Sequence, residues 1–234
     1  CRRMKLLALD TSSPACSVAL QAGDTVIWRH EEQAREHTRL LVPMIEEVMA
    51  EADLAAADLD AIVLGNGPGS FIGMRIATSV AQGLAHGAGI RIVPVSSMLA
   101  IAAEVMATQG AKAVAVCQDA HMDEVYLGLY AAGRDGLPET VVAERLHDQS
   151  VISELEPDPD RFAAAGFGWE RYPQLLETNR PFLASVSAVS HPSARYLLAT
   201  GSALAASGEG VDPQDVVPAY LRQTVAQPPR HRSS

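Results

Sequence analysis

The sequence predicts a duplicated α/β fold: two copies of a βββαβα pattern, with residues 1–109 as a first subdomain and 110–234 as a second, more divergent one. Three observations predict it. Short apolar runs broken by turn residues recur in the same order in both halves. An acidic residue, Asp10 or Asp119, follows the first run of each half. The longer stretches between runs carry apolar residues at helical spacing.

In the first half, Lys5 to Leu9 is apolar and Asp10-Thr11-Ser12-Ser13-Pro14 breaks it. Cys16 to Gln21 is apolar again, Ala22-Gly23-Asp24 turns the chain, and Thr25 to Trp28 resumes, which makes three strands. His37 to Ala52 places Leu41, Ile45, Val48 and Ala52 on one stripe with Leu40 and Met44 beside it, a broad helical face. Ala61 to Leu64 reads as a buried strand, Ser70 to His86 as a helix closed by Gly87, Ile92 to Val95 as a strand and Ser97 to Thr108 as a helix. In the second half, Ala113 to Cys117, Val125 to Tyr130 and Glu139 to Ala143 repeat the three strands, separated by Asp119–Asp123 and Gly133–Gly136. Phe162 to Ala165 reads as a strand, and Val151 to Leu155, Pro173 to Glu177 and Ala194 to Ala206 as helices.

Composition bounds the function. Hydrophobic residues are 48% and charged residues 20% of the 234, ordinary globular values that exclude disordered and fibrous classes. The formal net charge is −10 and Lys5 and Lys112 are the only lysines, so the chain is a poor stand-alone binder of phosphate backbones. Cys1, Cys16 and Cys117 have neither metal-ligand nor redox spacing, which reads as a reducing, cytoplasmic compartment. No apolar run approaches the roughly 20 residues of a membrane helix, and no apolar region follows Cys1-Arg2-Arg3 to make a signal peptide.

The most informative segment is Gly65-Asn66-Gly67-Pro68-Gly69-Ser70-Phe71-Ile72-Gly73, between a strand and a helix. Glycines there allow close backbone approach, and a helix N-terminus offers unpaired N–H groups to an anion. It serves equally as a tight turn with Ser70 as N-cap. No Lys-Ser/Thr pair follows, so it is not a Walker A loop, and the spacing is not that of a nucleophile elbow. On the helix behind it, Ile72, Ile76, Val80 and Leu84 form one ridge and Gly73, Ala77, Ala81 and Ala85 a neighbouring small one. Two readings stand: packing between its own sheet and the His37–Ala52 helix, or an added partner protein.

Much chemistry is absent. No two of the seven histidines are three to five residues apart, so no helical pair holds zinc. A Cys–His pair needs only spatial proximity and stays open, although Cys16 and Cys117 lie within apolar strands. Asp10, beside Thr11, Ser12 and Ser13, could hold a divalent cation through water, or could simply form an Asx turn. The turn has no glycine to admit a phosphate, which favours the structural reading.

Leu7–Leu20, His37-Thr38-Arg39-Leu40-Leu41-Val42-Pro43-Met44-Ile45, the Gly67–Ile76 loop, Asp119-Ala120-His121-Met122-Asp123-Glu124-Val125-Tyr126 and Pro218-Ala219-Tyr220-Leu221-Arg222 together resemble the TsaB (YeaZ) family from Met4 onward. The resemblance implies an actin/Hsp70/sugar-kinase-like (ASKHA) fold. It implies a non-catalytic, cytoplasmic subunit of the bacterial machinery that places threonylcarbamoyl on adenosine in ANN-decoding tRNAs. In that family TsaB docks on the catalytic relative TsaD, which carries the metal-binding histidine pair absent here. TsaE joins at the same interface, TsaB alone self-associates through it, and tRNA is met only through the complex. The chain departs from the usual motifs at Asn66, Ile72, Ala77, His121 and Gly166-Phe167-Gly168.

The expectation is therefore no catalytic residue, no metal and no cofactor, with a partner interface at Leu41, Met44, Ile45, Val48, Ile76, Ala77, Val80, Ala81 and Leu84. A charge placed at Ala77 or Val80 is expected to abolish self-association and leave the fold intact. A vestigial anion or nucleotide cleft is expected at Asp10, Thr11, Ser12, Gly67, Gly69 and Ser70. The competing reading is an ATP-dependent phosphotransferase or a peptidase-like enzyme, carried by Asp10 and the glycine loop. A third is a binding module for a small anion at the Ser70 helix N-terminus.

Overall fold

The computed structural model describes residues 4–32, 36–158 and 161–221; Cys1, Arg222 and His231 lie outside them. The first half runs β1 (Lys5–Asp10), β2 (Ala15–Ala22), β3 (Thr25–Glu32), α1 (His37–Glu51), β4 (Ala61–Gly65), α2 (Phe71–Ala88), β5 (Arg91–Val95) and α3 (Ser97–Gln109). The second runs β6 (Ala113–Asp119), β7 (Val125–Ala132), β8 (Pro138–His147), β9 (Phe162–Ala165), α4 (Phe167–Arg171), α5 (Pro173–Asn179), β10 (Leu183–Val186) and α6 (Leu198–Ser207).

The duplication is complete at the level of topology. One sheet has the order β3-β2-β1-β4-β5 and the other β8-β7-β6-β9-β10, each label advanced by five. In both, the first three strands are antiparallel neighbours and the last two run parallel to the first. This is the ASKHA-type arrangement that the resemblance implies.

Period-two alternation positions the layers. On β1, Leu7 and Leu9 point into a core shared with α1 and α2, while Leu6 and Ala8 point to the other face. Because both faces are covered, the strand reads as one continuous apolar run. On the second sheet, Ala115, Cys117 and Leu127 pack with Trp169, Tyr172 and Leu175 on one side. Val114, Val116 and Tyr130 pack with α3 on the other.

The final helices cross over. Met98, Ile101, Ala102 and Val105 of α3 cover the second sheet, although α3 closes the first half. Ala194 and Leu197, in a 3-10 turn, and Leu198 of α6 cover the outer face of the first sheet at Leu6, Ala8 and Val63. Gly201 lets α6 approach, since a Cβ there would stand 2.4 Å from Cγ2 of Val63. The boundary at residues 109/110 thus divides the strands between two subdomains but not the helices. Ser96 fixes α3 at its start: its Oγ accepts from the N–H groups of Met98 and Leu99, and its hydroxyl donates to Glu144 of β8. Glu144 also accepts from the Tyr130 hydroxyl at 2.6 Å, and burial raises its carboxyl above the usual range.

The structure departs from the sequence reading at several ends. Val151–Leu155 forms turns, not a helix, because so short a segment cannot nucleate one and Ile152 N–H donates to Oδ1 of Asn179 instead. Helix α2 ends at Gly89, left-handed at φ 66°, whose N–H reaches the Ala85 and His86 carbonyls; Gly87 is inside the helix. Strand β10 and helix α4 went unread because each is four or five residues long, too short for periodicity to show.

Since α3 contributes to both sides of the molecule, Met98→Ala is expected to cost about 2–5 kcal/mol and to leave a single cooperative urea transition. Two separate transitions, one per sheet, would contradict the interlock.

Candidate functional site

Asp10, the last residue of β1, is 1% exposed. Its Oδ1 accepts from the Ser12 N–H at 2.8 Å and the Ser12 hydroxyl at 2.7 Å, an Asx turn. Its Oδ2 meets no donor. It lies against Gly65 of β4, where a Cβ would stand 2.0 Å from it. Burial pushes the carboxyl pKa up, against weaker opposing pulls from Ser97 and Ser12.

The glycine loop closes directly on this turn. The Ser70 N–H donates to the Ser12 carbonyl at 2.6 Å, and the Thr11 hydroxyl donates to the Gly73 carbonyl at 2.6 Å. A Cβ on Gly69 would stand 2.1 Å from the Ser12 carbonyl oxygen, and one on Gly73 1.9 Å from that of Thr11. These glycines therefore serve contact between two backbones. The positive end of the α2 dipole faces the chain's own carbonyl dipoles, where the sequence left room for an anion. Ser70 is the N-cap, accepting from the Gly73 N–H at 3.2 Å. Gly67 is left-handed at φ 85° and exchanges hydrogen bonds with Ser97: its N–H donates to Oγ and its carbonyl accepts from the Ser97 N–H. The six cleft residues thus come together, Ser12 bonded to Asp10 and Ser70, Thr11 to Gly73, and Gly67 to Ser97.

The second half repeats the motif. Oδ1 of Asp119 accepts from the His121 N–H and from the Tyr172 hydroxyl, both at 2.8 Å. Burial and the Asp119 carboxylate push the Tyr172 phenol up to about 12. His121, Met122 and Asp123 are all left-handed, at φ 59°, 55° and 61°, a run that costs roughly 1–2 kcal/mol per residue. Between the two Asx turns lies an open cleft of about 550 Å³. Both described cysteines are buried; burial raises the Cys16 thiol to about 12 and the Cys117 thiol well above its ordinary value, so neither is an activated nucleophile. Among the described residues, no three His, Cys, Asp or Glu side chains group to hold a metal ion. Among them also, no helix is long and apolar enough to cross a membrane.

The helix face is divided differently from the expectation. Leu41, Met44, Ile45, Val48, Ala77 and Ala81 are all buried in the core they share with the first sheet. The small ridge of α2 lies down on that sheet, which is why it is small. Ile76, Val80 and Leu84 are half-buried at its edge. Outside them stand Ile72 at 70%, Val42 at 45% and Phe71 at 39% exposure, which the sequence reading did not assign to the interface. Ile72 was already visible at the head of the ridge, whereas Val42 stands off the stripe of its helix and carries no periodic signal.

The C-terminal segment holds this corner. The Arg75 guanidinium stacks 3.8 Å over the Phe71 ring, and its Nε donates to the Tyr220 hydroxyl at 3.0 Å. The Tyr220 ring lies 5.2 Å from that of Phe71. The segment is pinned to the glycine loop: the Asn66 amide donates to the Val217 carbonyl, and the Ala219 N–H to the Asn66 carbonyl.

Comparison with known proteins places these features in a family. Residues 30–227 match the family described as TsaD, tRNA N6-adenosine threonylcarbamoyltransferase. The tRNA threonylcarbamoyladenosine biosynthesis protein TsaB of Escherichia coli is 33% identical over 95% of this chain and 96% of its own. The Haemophilus influenzae protein of that name is 32% identical over 96% of each. YeaZ from Pseudomonas aeruginosa superposes with a TM-score of 0.86 at 35% identity, covering 93% of this chain and all of its own.

Two substitutions separate the packing glycines from the ordinary ones. Gly83 of α2 has open space where a Cβ would go, so Gly83→Ala is expected to stabilise by about 0.5–1 kcal/mol. Gly73→Ala, on the same helix, is expected to destabilise, because the Thr11 carbonyl stands in the way. Chemical denaturation checks both signs. Asp10 supplies a pH test. A carboxyl whose folded pKa is raised holds its proton longer in the folded state, so its contribution falls as pH rises from the unfolded value near 3.8 through the folded one. Asp10→Asn should remove that decline, and denaturant titrations of both proteins at pH 4 and pH 7 would show it.

Proposed function

The chain belongs to the TsaB family, and from that premise we propose that it acts in tRNA threonylcarbamoyladenosine biosynthesis as a non-catalytic subunit docking on and activating a TsaD-type partner. The observation that carries the docking is the uncovered apolar surface of α2 and α1. Ile72, Val42 and Phe71 are exposed, and Ile76, Val80 and Leu84 continue them along the helix. The inner faces of both helices already have a core to pack against, so this outer edge is surplus to the fold. Contiguous apolar surface of this kind marks association sites.

Lack of catalysis rests on the cleft. The Ser12 carbonyl takes the Ser70 N–H at the start of α2, and burial leaves neither Cys16 nor Cys117 an activated nucleophile. That argues against the phosphotransferase reading, and isothermal calorimetry of the isolated chain with ATP and Mg²⁺ is expected to be silent. A solved Pseudomonas aeruginosa protein, TM-score 0.85, is described as similar to the peptidase YEAZ; no arrangement here favours that chemistry for this chain. In this reading the protein works in the cytoplasm, self-associates through the same surface when alone, admits TsaE at the joint complex and meets tRNA only through its partners.

Val80→Glu tests the docking. Val80 sits at the edge of the core, so the charge can reach water while spoiling an apolar contact. Heterodimer formation with TsaD, followed by light scattering, should fall at least about tenfold with circular dichroism unchanged; an unaltered heterodimer would remove this face from consideration. Ala77→Arg is expected to unfold the protein instead, since Ala77 is fully buried between α2 and the first sheet.

A further inference from the structure

The cleft between the two Asx turns has a character of its own. Its walls are mostly apolar and come from both halves: Ile72 and Ile76 from α2, Ile101 from α3, and Phe167 and Pro192 from the second half. Its volume, about 550 Å³, falls within the range of small-molecule sites. Among the described residues lining it there is no Lys or Arg. The charged group present is the Asp119 carboxylate, whose Oδ2 lies 3.2 Å from Nδ1 of His121, itself in the lining, and the Asp10 carboxyl is buried behind Ser12, which it holds by two hydrogen bonds. His37, the first residue of α1, also lines the cleft; it is 7% exposed, and its Nδ1 has no hydrogen-bond partner. Burial holds that imidazole below its ordinary pKa, so it stays neutral and can accept.

This chemistry selects by charge. At the α2 N-terminus two donors are already used within the chain, the Ser70 N–H by the Ser12 carbonyl and the Gly73 N–H by the Ser70 hydroxyl. What remains is an apolar slot with a ring at one wall and acceptors at its polar end. We propose that this cleft binds a small ring-bearing molecule that is neutral or cationic, carries hydrogen-bond donors for Asp119 and His37, and that it rejects anions. The ring packs among Ile101, Phe167 and Pro192, and the donors turn towards the two acceptors. Ile72 and Ile76 belong both to this cleft and to the docking face, so binding is tested on the chain without its partner.

Three probes of one shape and different charge test it on the full chain: benzamidine, benzamide and benzoate. Isoleucine-methyl NMR reads the result, with Ile101 as the reporter inside the cleft and Ile62, buried in the first core, as the control. Benzamidine should shift Ile101 with at least about tenfold higher affinity than benzoate, benzamide falling between, and Ile62 should not respond. Thr38→Trp, at an exposed residue on the cleft's edge, should abolish the Ile101 shift. Benzoate binding as well as benzamidine, silence from all three probes, or a shift that persists in a folded Thr38→Trp protein would each overturn the proposal. Should that variant not fold, the wild-type ranking decides.

Discussion

The molecule depends on a backbone-to-backbone contact. The Asp10–Pro14 turn and the first turn of α2 approach so closely that only glycine fits at residues 69 and 73, and only glycine at 65 leaves space for the Asp10 carboxyl. That contact fixes where α2 starts and so which of its residues lie on the sheet and which reach the surface. It brings Ile72 and Ile76 to the rim of the cleft. It also turns the Ser70 N–H, at the positive end of the α2 dipole, towards the Ser12 carbonyl of the chain itself. The duplicated fold thus keeps a cleft between its halves whose first rim is held together by contacts within the chain.

The cleft persists because other forces hold the halves in place. Helix α3 fills the space above the second sheet, and α6 with the turn before it fills the outer face of the first. Neither sheet has a complete core without a helix from beyond the sequence boundary. The two Asx turns are therefore presented to each other by a packed frame, and the strained run at His121–Asp123 is sustained by its bonds to Asp119 and by that frame.

Much of the fold was legible in the sequence because strong local signals agreed with the global arrangement. Apolar runs ended by turn residues located eight of the ten strands to within a few residues and Phe162–Ala165 as a ninth. Only β10 escaped, being four residues long and mostly exposed. The Val151–Leu155 segment misled because buried Ile152 and Leu155 give a helix-like spacing to what is a pair of turns. The site was legible in a different way. The two ridges of α2 could be read from the sequence, but which ridge faces inward could not, because periodicity gives the faces of a helix and not their orientation. Small residues at Ala77 and Ala81 looked equally suited to a neighbour's backbone and to the chain's own sheet; the sheet won. The glycine loop posed the same ambiguity. Its Ser70 N–H meets the carbonyl of Ser12, a residue far upstream in the sequence, and only tertiary structure could say so.

The crossed helices have a consequence for synthesis. As the chain leaves the ribosome, the strands of the first sheet emerge early, with α1 and α2 ready to cover one side. The other side, bearing Leu6, Ala8 and Val63, waits for Ala194, Leu197 and Leu198, which lie beyond all the strands of the second half. Until then the nascent first half is an open book with one greasy page showing. Its maturation waits on the synthesis of α6 and not on the moment its own strands are complete.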